Sequence, residues 1–465
     1  MAHWDSTLPK RRLHWLALSA SVVFLVLAFL LTDTKAVHAL PLSPISVHAI
    51  PAFARKYGMP CSACHEAWPK LNNFGQTFKD NGYQLGNDRD APIFQQPGYW
   101  PISLRITPNW HRESENREGI DDPNNPGGTI EKQITTHGFD LSGMDMLTAG
   151  TLAKNISFLL VPSADSTGAF HFESASVRFD NLLKSSWLNI KVGKFELDNM
   201  ISEKRILGLS DNGGLYQMYH FVPVGDMNGW GLGDNQLGAE LMGHSRNDYT
   251  RYSVSLLSSN DGNVGVPNGH GYDTYLTFSQ AFDAGSLGLQ RVGAYAYIGR
   301  APTYFATQDA GATQIDGLGQ KSFYRAGFFG LLYVKKLDFM PMYMHGQESA
   351  FLATSTPSNT ALPLGARNAT FNAGMLETHY TVNPQLILIN RYELIRMSQQ
   401  ALPGTAGNLG DIDSLTFGYR YYPFISTRAG FAFHNEYSIV RQRGVSLNGL
   451  DETSSSLFLG FDFVF

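Results

Sequence analysis

The two cysteines of the chain stand in Cys61-Ser62-Ala63-Cys64, and a histidine follows directly at position 65. This is the spacing of c-type haem attachment, in which two thiols bond to one porphyrin and the next residue ligates its iron. We therefore expect one haem c, bound covalently by Cys61 and Cys64, with His65 as the proximal iron ligand. The alternatives fit less well. A redox dithiol would need a thioredoxin-like βαβ pattern, and a zinc site would need a second cysteine pair. A plain disulfide would leave the adjacent histidine unexplained.

The residues after this motif predict a short helix over about 69–81. Pro69 suits the first helical turn, and Gly82 suits a left-handed cap. Three apolar residues, spaced by three and four, share one face: Leu71, Phe74 and Phe78. We expect this face to pack on the porphyrin. An ordinary small packed core is the alternative.

Residues 1–39 read as a secretory signal peptide. Lys10, Arg11 and Arg12 precede an apolar stretch over 16–31, and Val37-His38-Ala39 predicts cleavage after Ala39. An uncleaved anchor is less favoured because the apolar run is shorter than the ~20 residues of a spanning helix. Export agrees with a haem that is attached outside the cytoplasm.

The composition favours a β-barrel that faces lipid outside and water inside. Charged residues are 16% of the chain, against roughly 25% in soluble domains, while Gly numbers 46 and aromatic residues make up 12%. A soluble β-sandwich has a similar composition. Alternating runs from Trp100 onward indicate strands with one apolar and one more polar face, and the aromatic residues of the last run favour the barrel. One run sets Ile190 and Val192 against Asn189 and Lys191. The chain ends in such a run, and an aromatic C-terminus is typical of outer-membrane strands.

Turn lengths give the strand count and direction. Short turns are expected at Ser245–Asp248, Asp283–Ser286, Lys335–Asp338 and Asn383–Gln385. Long loops are expected at Arg112–Lys132, Pro302–Gln320, Ser349–Arg367 and Gln399–Asp411. In bacterial barrels short turns face the periplasm and long loops the outside, and strand numbers are even. A naive count of seventeen therefore drops its weakest candidate, Leu215–Phe221, into a long loop over about 197–234. The prediction is a sixteen-stranded antiparallel outer-membrane barrel over 99–465, with first strand near 100–111 and last near 454–465.

Residues 40–98 then form a small, α-helical monohaem cytochrome c unit. Fewer than sixty residues bury little surface unless something supports them. Pro92, Pro97 and Gly98 lead to the first strand without a long linker. We expect this unit to enter from the periplasmic side and to plug or line a lumen that is otherwise aqueous at this barrel width.

A dense match over residues 51–85 resembles the monohaem cytochrome–porin fusions of iron-oxidising bacteria. It runs from Pro51-Ala52-Phe53-Ala54-Arg55-Lys56-Tyr57-Gly58-Met59 through the cysteine motif to Trp68-Pro69, Leu71-Asn72, Phe74-Gly75, Phe78-Lys79 and Gly82-Tyr83. The resemblance implies an electron-transfer protein of the Gram-negative outer membrane with Fe(II) oxidase activity. Fe(II) outside would be the donor, and a periplasmic c-type cytochrome or other soluble carrier the acceptor. A passive porin with a haem plug, another donor and outward electron flow are the competing functions.

Further ligands are left open by the sequence. The predicted first loop holds five acids, Glu113, Glu115, Glu118, Asp121 and Asp122, whose oxygens suit Fe(II), but a soluble acidic loop explains them as well. Six residues are candidates for the sixth haem ligand, and none is favoured: Met59, His111, His137, Met340, Met342 and Met344. The net charge of −5 gives no basic footprint for nucleic acid.

Overall fold

The computed structural model describes residues 53, 57–67, 70–85, 102–164, 167–198, 217–218, 232, 235–258, 272–302, 320–348, 368–398, 410–425 and 430–464. The predicted signal peptide, Trp68-Pro69 and Phe465 lie outside these residues. Described elements of the N-terminal part include two short strands and a helix, namely β1 (His65–Ala67), β2 (Lys70–Leu71) and α1 (Asn73–Asp80).

Sixteen longer strands follow within the described part of the chain. They are β3 (Ile102–Asp121), β4 (Thr129–Ala153), β5 (Ile156–Ala164), β6 (Phe170–Phe179), β7 (Asn189–Phe195), β8 (Gln236–His244), β9 (Thr250–Ser258), β10 (Asp273–Asp283), β11 (Leu289–Pro302), β12 (Gln320–Val334), β13 (Leu337–Glu348), β14 (Ala369–Asn383), β15 (Leu386–Met397), β16 (Asp411–Ile425), β17 (Gly430–Arg443) and β18 (Glu452–Val464). Each pairs antiparallel with its neighbours in sequence. The barrel closes where β18 pairs with β3, from Ser454↔Glu115 to Val464↔Arg105. The predicted sixteen-stranded barrel is confirmed.

Side-chain alternation explains why these segments form a membrane-type barrel. In β9 the side chains of Val254 and Leu256 are exposed, whereas those of Ser253 and Ser255 are buried. Exposed apolar residues recur at outward positions of most strands, as expected of a wall that contacts lipid. Among the described residues, no helix is long and apolar enough to cross a membrane.

The connections confirm the alternation of short turns and long loops, with one correction. Each of the four predicted short turns overlaps an observed turn, and their bounds differ by at most two residues. β12 joins β13 through Lys335 and Lys336 alone. Between β7 and β8, none of the described residues is in a strand, in agreement with the predicted loop. The predicted loop Arg112–Lys132, however, is mostly strand, because β3 and β4 extend as a paired hairpin to Asp121↔Thr129.

Part of the barrel interior is apolar rather than aqueous. Inward-facing strand side chains and three residues of the connection after β7 form one buried apolar cluster. Its members are Phe195, Leu197, Met218, Leu232, Leu257, Tyr275, Tyr295, Tyr297, Phe323, Phe329, Met340, Met342, Met344, Phe371, Ala373, Met375, Ile395, Ile412 and Val440. Leu197, Met218 and Leu232 come from the connection between β7 and β8, so this connection contributes to filling the interior. The expectation of a simply aqueous lumen was therefore incomplete.

Candidate functional site

The cysteine motif and helix α1 form one locked local unit. Cys61–Ala63 is a 3-10 turn, closed by the Ala63 N–H donating to the Pro60 carbonyl at 2.9 Å. Asn72 joins the turn to the helix. Its backbone N–H donates to the Cys64 carbonyl at 2.9 Å, and its amide nitrogen donates to the Ala63 carbonyl at 3.0 Å. Its side-chain oxygen also caps α1 by accepting the Gly75 N–H at 2.8 Å.

Gly75 is required for this close approach of the helix to the motif. A Cβ at this position would lie 2.1 Å from the Cys64 carbonyl oxygen, which is backbone and cannot move aside cheaply. Cys64 and His65 are both partly buried, and His65 pairs with Leu71 in the β1–β2 ladder. The structure thus brings Cys64, His65 and Leu71 into one small region.

The helix is shorter than predicted, and its apolar residues divide between two environments. It starts at Asn73 because Asn72 is the N-cap, and it ends as predicted before Gly82, which has φ +72°. Phe78 packs against Phe53, Tyr57 and Tyr83 in an aromatic cluster. Phe74 is instead 43% exposed. Of the apolar face expected to meet a porphyrin, Phe78 belongs to a packed protein core, whereas Phe74 still offers an uncovered ring.

Lys70 anchors this unit to the barrel wall. It is 1% exposed, and its Nζ lies 2.5 Å from Asp338 Oδ2, 2.7 Å from Glu66 Oε2 and 3.2 Å from His379 Nδ1. Burial alone would lower the pKa of Lys70, but the charges of Glu66 and Asp338 raise it above its ordinary value, so the side chain stays protonated. Asp338 is the second residue of β13, next to the short turn from β12. The anchor therefore lies at the short-turn end of the barrel.

A second set of polar contacts holds the C-terminal end of α1 against β6 and β9. Arg178 donates from Nη1 to the Lys79 carbonyl at 2.9 Å and from Nη2 to the Asp80 carbonyl, which satisfies helix-end acceptors. Asp180 fixes this guanidinium through Nε at 2.6 Å. The remaining contacts are Thr77 Oγ1 donating to Asp248 at 2.8 Å, and Arg251 Nε lying 3.1 Å from Asp80 Oδ2.

From Lys70 a chain of buried ionisable side chains continues along β14 and β15. His379 Nε2 lies 2.5 Å from Glu377, and Glu377 lies 3.5 Å from Arg391. Arg391 in turn lies 3.3 Å from Glu393, whose carboxylate accepts the backbone N–H groups of Gln217 and Met218 at 3.0 Å each. This chain links the wall contact of the N-terminal unit to the connection between β7 and β8 inside the barrel.

None of these wall contacts was predicted from the sequence. A parity signal was available, since Asp338 shares its inward face with Met340, Met342 and Met344, which are all buried. A charge on that face needs a buried partner. The sequence, however, does not say that the partner lies 268 residues away.

The other candidate ligands lie in scattered environments. Met340, Met342 and Met344 join the apolar interior cluster, His137 is exposed, and Met59 is partly buried beside the motif. His111 hydrogen bonds with Asn109 across 3.0 Å.

Two of the five acids predicted in the first loop lie close to another acid, Glu452, at the long-loop end of the barrel. Glu115 and Glu118 come from β3 and Glu452 from the start of β18, and their carboxylate oxygens lie within 4.8 Å of one another. A transmembrane strand needs about 9–11 residues. Counted from the short-turn end at Ile102, Glu115 and Glu118 lie beyond that span. Burial, and then the hydrogen bond to Glu452, raise the pKa of Glu115 to about 7.

The donor set at residues 61–65 fits a c-type haem. In the backbone, Cys61 begins a 3-10 turn, Cys64 follows that turn directly, and His65 comes next. The exposed Phe74 ring is nearby in sequence. The unit is fixed by ionic contacts rather than by a large core of its own. The arrangement can therefore hold a prosthetic group at the short-turn end of a closed barrel.

Comparisons with known proteins support the fold. No family model matches the chain, and no curated protein matches it. Among solved structures, the chain is similar to an anion-selective porin from Comamonas acidovorans, with TM-score 0.50 and 10% identity over 78% of this chain and 99% of the porin. It is also similar to the outer membrane channel DcaP of Acinetobacter baumannii, with TM-score 0.47 and 12% identity over 80% and 99% of the two chains. At 10% identity, the likeness to the Comamonas acidovorans porin shows the fold alone, a porin-type barrel.

Proposed function

We propose that this chain is a monohaem c-type cytochrome of the Gram-negative outer membrane that oxidises extracellular Fe(II). It would pass the electron through its haem to a periplasmic c-type cytochrome or another soluble carrier. The observation that carries the proposal is the placement of the Cys61–His65 motif. The motif belongs to a compact unit fixed by the buried Lys70–Asp338 pair to the short-turn end of a closed porin-type barrel.

The residues have distinct roles in this proposal. Cys61 and Cys64 attach the haem, His65 ligates its iron, and Gly75 and Asn72 hold the motif against α1. When bound, haem supplies a one-electron redox centre. Lys70 and Arg178 keep that centre at the end of the barrel that faces the periplasm in outer-membrane proteins. Each Fe(II) ion that becomes Fe(III) outside releases one electron, and ferric product would not need to enter the cell.

Covalent haem is the first property to test. Intact-mass measurement on protein from outer membranes should show one added haem, with a c-type absorption spectrum on reduction by dithionite. Cys64→Ser should lose one of the two thioether bonds and change the spectrum of the reduced pyridine complex. A mass equal to that of the bare polypeptide would reject the cytochrome assignment.

A plugged porin without an external electron donor is the second candidate, and the porin-type fold favours it. Planar-bilayer recording discriminates between the two. A high, steady conductance together with a haem that Fe(II) does not reduce would favour the porin. Reduction by an external donor other than Fe(II), or oxidation by an external acceptor, would keep the conduit and change its donor or direction.

A further inference from the structure

In the short connections that the structure describes, the exposed charged side chains are nearly all positive. Five basic side chains are exposed in the described short connections, and they are named here the basic rim: Lys154, Lys184, Arg246, Lys335 and Lys336. Among these same described connections and the strand residues bordering them, Asp283 is the one exposed acid. The rim spans four turns, those after β4, β6, β8 and β12.

The imbalance arises because the acids of this end point inward. Asp180, Asp248 and Asp338 are 1%, 4% and 9% exposed. Asp180 binds Arg178, Asp248 binds Arg251, and Asp338 binds Lys70. The same three acids adjoin the N-terminal unit: Asp338 and Asp248 contact Lys70 and Thr77, and Asp180 lies against Gly82. Their negative charge is thus neutralised inside the barrel, and the basic side chains are left on the outer side.

We propose that the basic rim docks an acidic soluble protein. We identify that protein with the electron carrier, an identification that rests on the proposed function. A cluster of like charges along part of the mouth steers an oppositely charged partner towards it and speeds association. Docking there brings the carrier to the end of the barrel where the Cys61–His65 unit is anchored.

A protein fits this surface better than a lipid headgroup does. Lys335 and Lys336 form the tip of a two-residue turn, and Arg246 lies within the turn from Ser245. The adjoining strand ends present apolar residues to the lipid side, Val334 at 41% and Phe282 at 45% exposure. The basic residues therefore extend beyond the lipid-facing band, into the space that a soluble partner can occupy.

The test measures binding and needs neither Fe(II) nor electron transfer, so its failure is distinct from failure of the proposed function. The full chain is placed in nanodiscs of neutral phosphatidylcholine. The probes are cytochrome b5 as the acidic soluble protein and mitochondrial cytochrome c as the basic one, with binding followed by biolayer interferometry. The rim variant is Arg246→Glu with Lys336→Glu. The matched control is Lys132→Glu with Arg300→Glu, two exposed bases near the long-loop end.

We expect the acidic probe to bind the wild type and the control, and to bind the rim variant about tenfold more weakly. Raising the salt from about 20 to about 200 mM should weaken wild-type binding by a similar factor. Equal binding of the acidic probe to rim variant and wild type, or equal binding of the two probes, would overturn the proposal. So would a rim variant that differs only in the amount of anionic phospholipid that co-purifies with it, because the rim would then bind lipid.

Discussion

Replacing Lys70 by Met should detach the N-terminal unit from the barrel wall without unfolding the barrel. Lys70 is 1% exposed and lies within 2.7 Å of two carboxylates, Glu66 and Asp338. Methionine keeps the volume but leaves both acids partly buried without their cation. Removing one partner of a buried ion pair costs about 3–5 kcal/mol. At about 1.4 kcal/mol per factor of ten, local opening of residues 57–85 becomes roughly 100- to 3,000-fold more frequent.

Hydrogen exchange followed by mass spectrometry measures this opening directly. Lys70→Met should lose protection in α1 by about two to three orders of magnitude, while strands β10–β18 keep theirs. Lys335→Met, an exposed lysine at the tip of the turn from β12 to β13, is the matched control and should change stability by less than about 0.5 kcal/mol. Unchanged protection of α1 in Lys70→Met would refute the role assigned to this ion pair.

Three further variants test the motif, the barrel seam and the acidic cluster. Gly75→Ala should lower the ratio of covalent haem to protein, measured by absorbance, because its Cβ would meet the Cys64 carbonyl at 2.1 Å; a wild-type ratio would contradict this. Asp462→Asn should destabilise the barrel by about 3–5 kcal/mol, since Asp462 pairs with Arg105 and the fully buried Arg420. The change is measured as a lower temperature at which the gel band of the folded barrel converts to that of the unfolded chain. The control is Asp121→Asn at an exposed position, which should leave this temperature unchanged. Glu115 has a pKa raised to about 7, so the stability it contributes is present at low pH and lost as the pH rises through 7. Carbodiimide labelling of Glu115 should fall over that range, and Glu452→Gln should move the fall to lower pH; an unmoved profile would contradict the coupling.

Alternation, turn length and the even-strand rule were sufficient to predict the barrel. Val254 and Leu256 of β9 point outward because they are two residues apart. Omission of Leu215–Phe221 gave the observed strand number. The first loop was predicted wrongly because its acids were read as solvated loop residues. In the structure Glu115 and Glu118 lie on β3, which extends past the neighbouring β18 and needs no apolar face there.

The contacts that position the motif could not have been predicted in the same way. Local pattern places Gly82 after the helix and Asn72 at its start, but it does not identify Lys70 as a buried residue. The partners of Lys70 on the barrel, Asp338 and His379, are 268 and 309 residues away, so the pairs exist only once the barrel has closed. A charged residue at an inward position of a wall strand, such as Asp338, indicates a buried partner of opposite charge, but not where in the sequence that partner lies.

The proposed function requires that one haem, held at the short-turn end of the barrel, accepts electrons from Fe(II). The decisive measurement is anaerobic stopped-flow mixing of the oxidised, purified full chain with Fe(II), with the haem absorption bands followed over time. We expect the reduced c-type spectrum to appear, with one Fe(II) oxidised for each haem reduced. A haem that dithionite reduces but Fe(II) leaves oxidised would contradict the claim.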